Sequence, residues 1–257
     1  MLAGGAAYVL SELDGEHADY TAPDDQPMLT TRGRLDDEPP TVDRDGGWNV
    51  DADEIILFVH GFDTDPQAAR DQTYTLDVGL SEYRELPVVG YSWDADVEWE
   101  PAKANADANA APLADWLGEW ADDGRPIHLV GYSLGARVVG ETLRELRADG
   151  HTDALASVSL LGGAIPADSI DRDGRYGEAI NAVNAPVTNF HSGHDRVLGW
   201  VYRLSDRTTA VGSDGIADPA AAPDGYRDVD VTDLVADHYS YFDPEEGCLS
   251  RVADNID

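Results

Sequence analysis

The chain of 257 residues is long enough to bury one sizeable core, and that length is common for a single α/β domain. Hydrophobic residues make up 42%, and glycine and proline are scattered without a period, which excludes a collagen-like, coiled-coil or wholly disordered chain. With 51 Asp and Glu against 17 Lys and Arg, the formal net charge is -34, which argues against nucleic acid and anionic membrane surfaces as partners.

The first ten residues, from Met1 to Leu10, are apolar but lack the basic start and small-residue cleavage site of a signal peptide. They leave open the end of a twin-arginine leader, so the expected location is cytoplasmic, with export as the alternative. No apolar run approaches the roughly 20 residues that span a bilayer, so no stable membrane insertion is expected. Cys248 is the lone cysteine, which rules out an intrachain disulfide. Residues 1–53 are expected to form an irregular segment packed on a catalytic domain over 54–257, because 11–53 are rich in Asp, Pro, Gly and Thr with little periodicity.

From Glu54 short apolar runs alternate with helix-length stretches, the pattern of a mostly parallel sheet covered by helices. Ile55-Ile56-Leu57-Phe58-Val59 is continuous and β-branched, as in a strand buried on both faces. A helix is predicted over 66–83 and a strand over 87–93. In the next predicted helix, 105–122, Leu113, Trp116, Leu117 and Trp120 share one face, read as core. A strand over 127–130 runs into Gly131-Tyr132-Ser133-Leu134-Gly135, and a helix leaves to about 148. Then follow a strand over 156–161, a helical stretch over 170–183, a strand over 187–190, a long loop over 204–224 and a short strand over 228–231.

The chemistry starts from Ser133. A G-x-S-x-G sequence is common by chance, but here it joins a buried-type strand to an amphipathic helix, the setting in which a serine sits on a strained elbow. Gly131 and Gly135 are expected because the turn brings backbones too close for a Cβ. The following helix N-terminus favours a developing negative charge. A serine that merely caps a helix is the competing reading.

A serine needs a base within hydrogen-bond reach. In this setting the chain order is serine, acid, histidine. Of the seven histidines, His17, His60 and His128 precede Ser133. His151 follows the next helix, on the wrong rim of the sheet, and His191 and His194 sit at the tip of the strand expected to supply the acid. His238, in the last segment, is the candidate base. Asp195, after the 187–190 strand, is the candidate acid that fixes the imidazole tautomer, with Asp168 and Asp171 as rivals. The backbone N–H groups of Phe62 and Leu134 are expected to form the oxyanion hole, with His60 a structural hydrogen-bonding residue and Gly61 allowing close approach.

These motifs, over about 54–242, resemble the α/β-hydrolase superfamily. Gly131-Tyr132-Ser133-Leu134-Gly135-Ala136-Arg137-Val138, Asp228-Val229-Asp230-Val231-Thr232-Asp233-Leu234-Val235 and His238 resemble a poorly characterised group within it that includes transmembrane and coiled-coil hydrolase-like proteins. The resemblance implies the same triad: Ser133, Asp195 and His238. The expected function is hydrolysis of a carboxylic ester, a small-molecule substrate, through an acyl-enzyme on Ser133, with no metal or organic cofactor and an open oligomeric state. A thioesterase or acyltransferase would use the same groups. Competing with these are a non-catalytic binding module that keeps the fold, and a lipase with a lid near Leu198, Trp200, Val201, Tyr202 and Leu204. The acid excess, spread along the chain with Lys103 as the only lysine, resembles proteins of salt-accumulating halophiles, with a surface tuned to a cationic partner as the alternative.

Overall fold

The computed structural model describes residues 18–48 and 50–256, with backbone alone at 200, 201 and 204. The apolar opening decapeptide and His17 lie outside the described residues. Among the described residues eight strands form one sheet: β1 (Met28–Thr30), β2 (Asp43–Asp45), β3 (Ile55–Val59), β4 (Val88–Ser92), β5 (Ile127–Tyr132), β6 (Ser157–Leu161), β7 (Val187–His191) and β8 (Tyr226–Asp230). Their order is β2-β1-β4-β3-β5-β6-β7-β8. Every neighbouring pair is parallel except β1 with β2 at the edge. This is the α/β-hydrolase fold, with helices on both faces of a mostly parallel sheet.

The apolar runs of β3 to β6 are buried along their whole length because both faces are covered. Alternate side chains feed two separate cores. Ile55, Leu57, Val59 and Leu129 pack with the helices over 99–149 on one face. Ile56, Phe58, Val130 and Tyr132 pack on the other face with Leu76, Leu80, Phe242 and Leu249. At ~25 cal/mol per Å² of apolar surface, removing so many large side chains from water outweighs any surface ion pair in holding the sheet.

Helix α1 (Pro66–Ser81) starts where the sequence predicts, with Pro66 in the first turn and the Asp65 carboxylate accepting from the amides of Gln67 and Ala68, both at 2.8 Å. The predicted 105–122 helix is instead two, α2 (Trp99–Ala108) and α3 (Ala110–Asp122). Pro101 and Pro112 each stand in a first turn, where a missing N–H costs nothing. The break frees the buried Asn109 side chain to accept from Thr31 Oγ1 at 2.5 Å and Tyr91 Oη at 2.8 Å, tying the helices to β1 and β4. The predicted apolar face of α3 is core: Leu113, Leu117 and Trp120 are buried, and Trp116 stacks on Trp120 at 5.1 Å between centroids.

Helix α4 (Gly135–Asp149) leaves β5 and ends at Gly150, whose φ of 82° is the left-handed C-cap conformation. The stretch over 170–183 is mostly turn, and only Gly177–Ala182 is α-helical. The 204–224 region is less irregular than its composition suggests. It holds the short helices Arg203–Asp206 and Val211–Asp214, and a turn over Pro219–Ala221 where the Asp218 carboxylate accepts from Ala220 N at 2.9 Å.

Within residues 18–48, β1 and β2 extend the sheet as edge strands beside β4, with Met28 opposite Gly90. Each strand is only three residues long, too short to show a period of two, and each is specified by partners far along the chain.

Candidate active site

Ser133 lies between β5 and α4 with φ of 52°, a backbone conformation that an L-residue adopts only when its surroundings enforce it. Those surroundings are hydrogen bonds. Ser133 N donates to Leu161 O at 3.0 Å, and Ser133 O accepts from Ala164 N at 2.9 Å and Ala136 N at 3.1 Å. The elbow glycines have two different causes. A Cβ on Gly131 would lie 2.7 Å from Val139 Cγ2 and 3.2 Å from Ala136 Cα, so Gly131 is required by strand–helix closeness. A Cβ on Gly135 would lie 2.3 Å from Val59 O and 2.6 Å from His60 O, so Gly135 is required by the end of the adjacent strand β3.

His238 comes from the loop after β8. Its carbonyl accepts from Tyr132 Oη at 2.9 Å, which anchors that loop to the strand carrying the serine. The Tyr132 ring lies 5.2 Å from the imidazole, centroid to centroid. His238 Nε2 is 2.8 Å from Ser133 Oγ, and His238 Nδ1 is 2.6 Å from Asp195 Oδ2. All three side chains are buried. The other oxygen of the acid, Oδ1, accepts from Leu198 N at 2.9 Å. The geometry therefore lets Asp195 accept a hydrogen bond from Nδ1–H and leaves Nε2 as an acceptor for the serine hydroxyl.

The loop after β3 approaches from the other side. A Cβ on Gly61 would stand 2.8 Å from Ser133 Cβ and 3.4 Å from its Oγ, so only glycine lets this backbone pass so close to the hydroxyl. Among the described residues, neither the Phe62 nor the Leu134 amide is spent on a backbone acceptor.

His60 acts through that loop. Its Nε2 accepts from Trp93 N at 3.2 Å, which places the proton on Nδ1 and lets it donate to Gly61 O at 2.9 Å. Fixing that carbonyl fixes the Gly61–Phe62 peptide plane, and with it the direction of the Phe62 N–H. The ring stacks on Trp93 with 5.5 Å between centroids and 8° between planes. Burial, aided by the Arg32 charge and opposed by the bond to Gly61, pushes the His60 pKa down to about 3, so the ring is neutral at any pH near 7. A neutral donor of fixed tautomer is a structural hydrogen-bonding residue, not a base.

The rival groups lie elsewhere. His128 is bound between Ser157 Oγ and Glu54 Oε1, each at 2.7 Å, near the start of β5. The His151 ring faces Gly118 of α3. His191 borders Gly215, and the His194 ring is exposed. Asp168 and Asp171 belong to the turns after β6, and neither contacts His238 among the described residues. Of the residues named for a lid, Leu198 and Tyr202 are buried with Ala164, Ala210 and Trp99, and Trp99 also meets the Phe62 ring at 5.1 Å. The side chains of 200, 201 and 204 lie outside the described set.

Residues 83–253 match the family described as "Protein of unknown function (DUF726)". The chain belongs to that family. A transmembrane and coiled-coil domain-containing protein of Oryza sativa subsp. japonica, STS1, is 32% identical over 159 residues, which is 61% of this chain and 23% of the relative. An uncharacterized membrane protein of Schizosaccharomyces pombe is 31% identical over 147 residues, 57% of this chain and 18% of the relative. This DUF726 chain thus spans less than a quarter of the length of the curated relatives it matches. Among its described residues no helix is long and apolar enough to cross a membrane. A lipase-esterase related protein from Clostridium acetobutylicum aligns over 81% of this chain and 95% of its own, at 14% identity and a TM-score of 0.44.

Sequence reasoning missed Tyr132, whose hydroxyl holds the histidine loop, and Trp93, which sets the His60 tautomer. The signal for Tyr132 was its place beside the serine, where a buried phenol needs a partner. Nothing local to Trp93 announced its role.

Proposed function

We propose that this protein is a serine hydrolase that cleaves a carboxylic ester through an acyl-enzyme on Ser133. The observation that carries the reading is the continuous hydrogen-bonded line from Asp195 Oδ2 through the His238 ring to Ser133 Oγ, at 2.6 and 2.8 Å, on a positive-φ elbow. In this reading Ser133 Oγ attacks the ester carbonyl carbon as His238 Nε2 takes its proton. The carbonyl oxygen becomes an oxyanion held by the Phe62 and Leu134 amides, each donor of this kind being worth about 3 kcal/mol to the transition state. The tetrahedral adduct collapses, the C–O bond to the alcohol breaks, and His238 returns the proton to the leaving oxygen. Water then repeats the sequence in reverse to release the acid and restore Ser133. Asp195 stabilises the imidazolium and holds its tautomer without itself taking the proton. Neither a metal nor an organic cofactor is needed for these steps.

The test is a fluorophosphonate probe applied to the folded protein in molar KCl, followed by peptide mapping, beside turnover of a short p-nitrophenyl ester. A stoichiometric adduct on Ser133 is expected. Folded protein left unlabelled after a long incubation would instead favour a binding module that keeps the hydrolase fold.

The charge of -34 supports a working environment of high salt, as in salt-accumulating halophiles. Raising the ionic strength from ~0.1 M to ~1 M shortens the Debye length from about 10 Å to about 3 Å. That relieves repulsion among the unpaired carboxylates and should lift the thermal midpoint by about 10 °C or more. A midpoint that stays flat across the same KCl series would remove this part of the proposal.

A further inference from the structure

The leaving alcohol of the proposed reaction must depart past His238, because the proton it needs sits on Nε2. A cleft of about 610 Å³ opens beside that histidine, between the loop that carries Asp195 and the loop that carries His238. His238 itself lines the cleft, together with His194, Arg196, Asp237 and Tyr239. The Arg196 side chain is its permanent positive charge.

Among the described residues Arg196 belongs to the minority of cations, Arg172 and Arg227 among them, that contact no carboxylate, and it is the one of these that lines the cleft. Acidic residues outnumber Lys and Arg by 51 to 17, and most of the other cations are paired. Arg32, Arg34, Arg70, Lys103, Arg137 and Arg175 all contact carboxylates. Among the described residues, no carboxylate lies within ion-pair distance of Arg196, although it is exposed and follows Asp195 directly. The Asp195 carboxylate is turned inward to His238. Asp237, the acid among the described residues of the cleft wall, turns its Oδ1 to Tyr239 N at 2.9 Å and Ser240 N at 3.1 Å; it keeps its negative charge but makes no ion pair with Arg196. His194 adds a second nitrogen-bearing ring to the same wall, and its amide is held by Ser192 Oγ at 3.1 Å.

From this we infer that the cleft is a leaving-group subsite for an alcohol bearing a carboxylate or phosphate, with Arg196 as the residue that selects it. The inference rests on the esterase reading for the position of the leaving group. A guanidinium binds either anion through two parallel N–H bonds, which a neutral alcohol cannot accept in the same way. The acidic surface as a whole repels anions, so a local unpaired arginine beside the proton donor is where such a substrate would gain discrimination.

The experiment compares 4-acetoxybenzoate with 4-acetoxybenzamide. The two share one acyl group and one ring, and differ in the charge of the leaving phenol. With each rate divided by that for alkaline hydrolysis, wild-type kcat/KM should favour the carboxylate by about five- to tenfold at the lowest salt that keeps the fold. Arg196→Gln should bring that ratio to about one, and Arg196→Glu should invert it. Binding of 4-hydroxybenzoate and of glycerol 3-phosphate to wild type and Arg196→Gln, followed by saturation-transfer NMR, tells the two anions apart and needs no turnover. Hydrolysis of both esters at equal normalised rates, with neither anion bound through Arg196, would overturn the subsite and leave the hydrolase reading standing. Anion binding lost in Arg196→Gln, with no turnover and no probe adduct in wild type, would leave an anion site at Arg196 and overturn both the hydrolase and the leaving-group role built on it.

Discussion

Ser133→Ala should lower kcat by about 10⁵- to 10⁶-fold on any ester the protein turns over, the scale on which a triad acts as a unit. The variant should fold, because the elbow is held through the main chain of residue 133, by its bonds to Leu161, Ala164 and Ala136, and not through Oγ. Its φ of 52° is as awkward for alanine as for serine, so the strain, of order 1–3 kcal/mol, stays in place and is offset by the same three bonds. Replacing His238 as well should add almost nothing to the loss, since without the hydroxyl the imidazole has no proton to take. Rates measured on Ser133→Ala, on His238→Ala and on the double variant, with near-UV circular dichroism to verify packing, check this. A Ser133→Ala protein that keeps a tenth of wild-type turnover would place the nucleophile elsewhere.

That prediction uses residues that the sequence itself picked out, and the reason is physical. The elbow is a local device: a buried β-strand, a tight turn with flanking glycines and an amphipathic helix must be consecutive, so they are consecutive in the chain. A parallel sheet delivers successive strand tips to one rim, which is where Ser133, Asp195 and His238 meet, and their order along the chain is the one that the resemblance to α/β-hydrolases implies. What stayed hidden depends on distant partners. The three-residue strands Met28–Thr30 and Asp43–Asp45 carry too few side chains to show alternation and exist because Gly90 and its neighbours offer an edge. The break at Asn109 is set by Thr31 and Tyr91, one of them 78 positions away. Pro112 was the local clue, since a proline fits a first turn far better than the middle of one long helix. Gly135 has no room for a Cβ, but the obstacle is the end of β3, a neighbour that residues 131–135 alone do not reveal.

Asp195→Asn should cost about 10⁴-fold in kcat, more than a simple loss of charge would suggest, because the protein dictates which way the new amide points. In the wild type Asp195 Oδ1 accepts from Leu198 N at 2.9 Å. An asparagine must keep its oxygen on that amide, since turning the NH2 there would set two donors against each other. The NH2 is then forced toward His238 Nδ1, which has to become an acceptor. The imidazole proton moves to Nε2, where it donates to Ser133 Oγ and blocks the proton transfer that makes the serine a nucleophile. The same change of tautomer should slow fluorophosphonate labelling along with turnover. Nitrogen-15 chemical shifts of His238 should report Nδ1–H in the wild type and Nε2–H in the variant near neutral pH. If the tautomer stays the same and kcat falls less than tenfold, Asp195 is only a packing partner of His238, and the acid of the line must be sought in another residue.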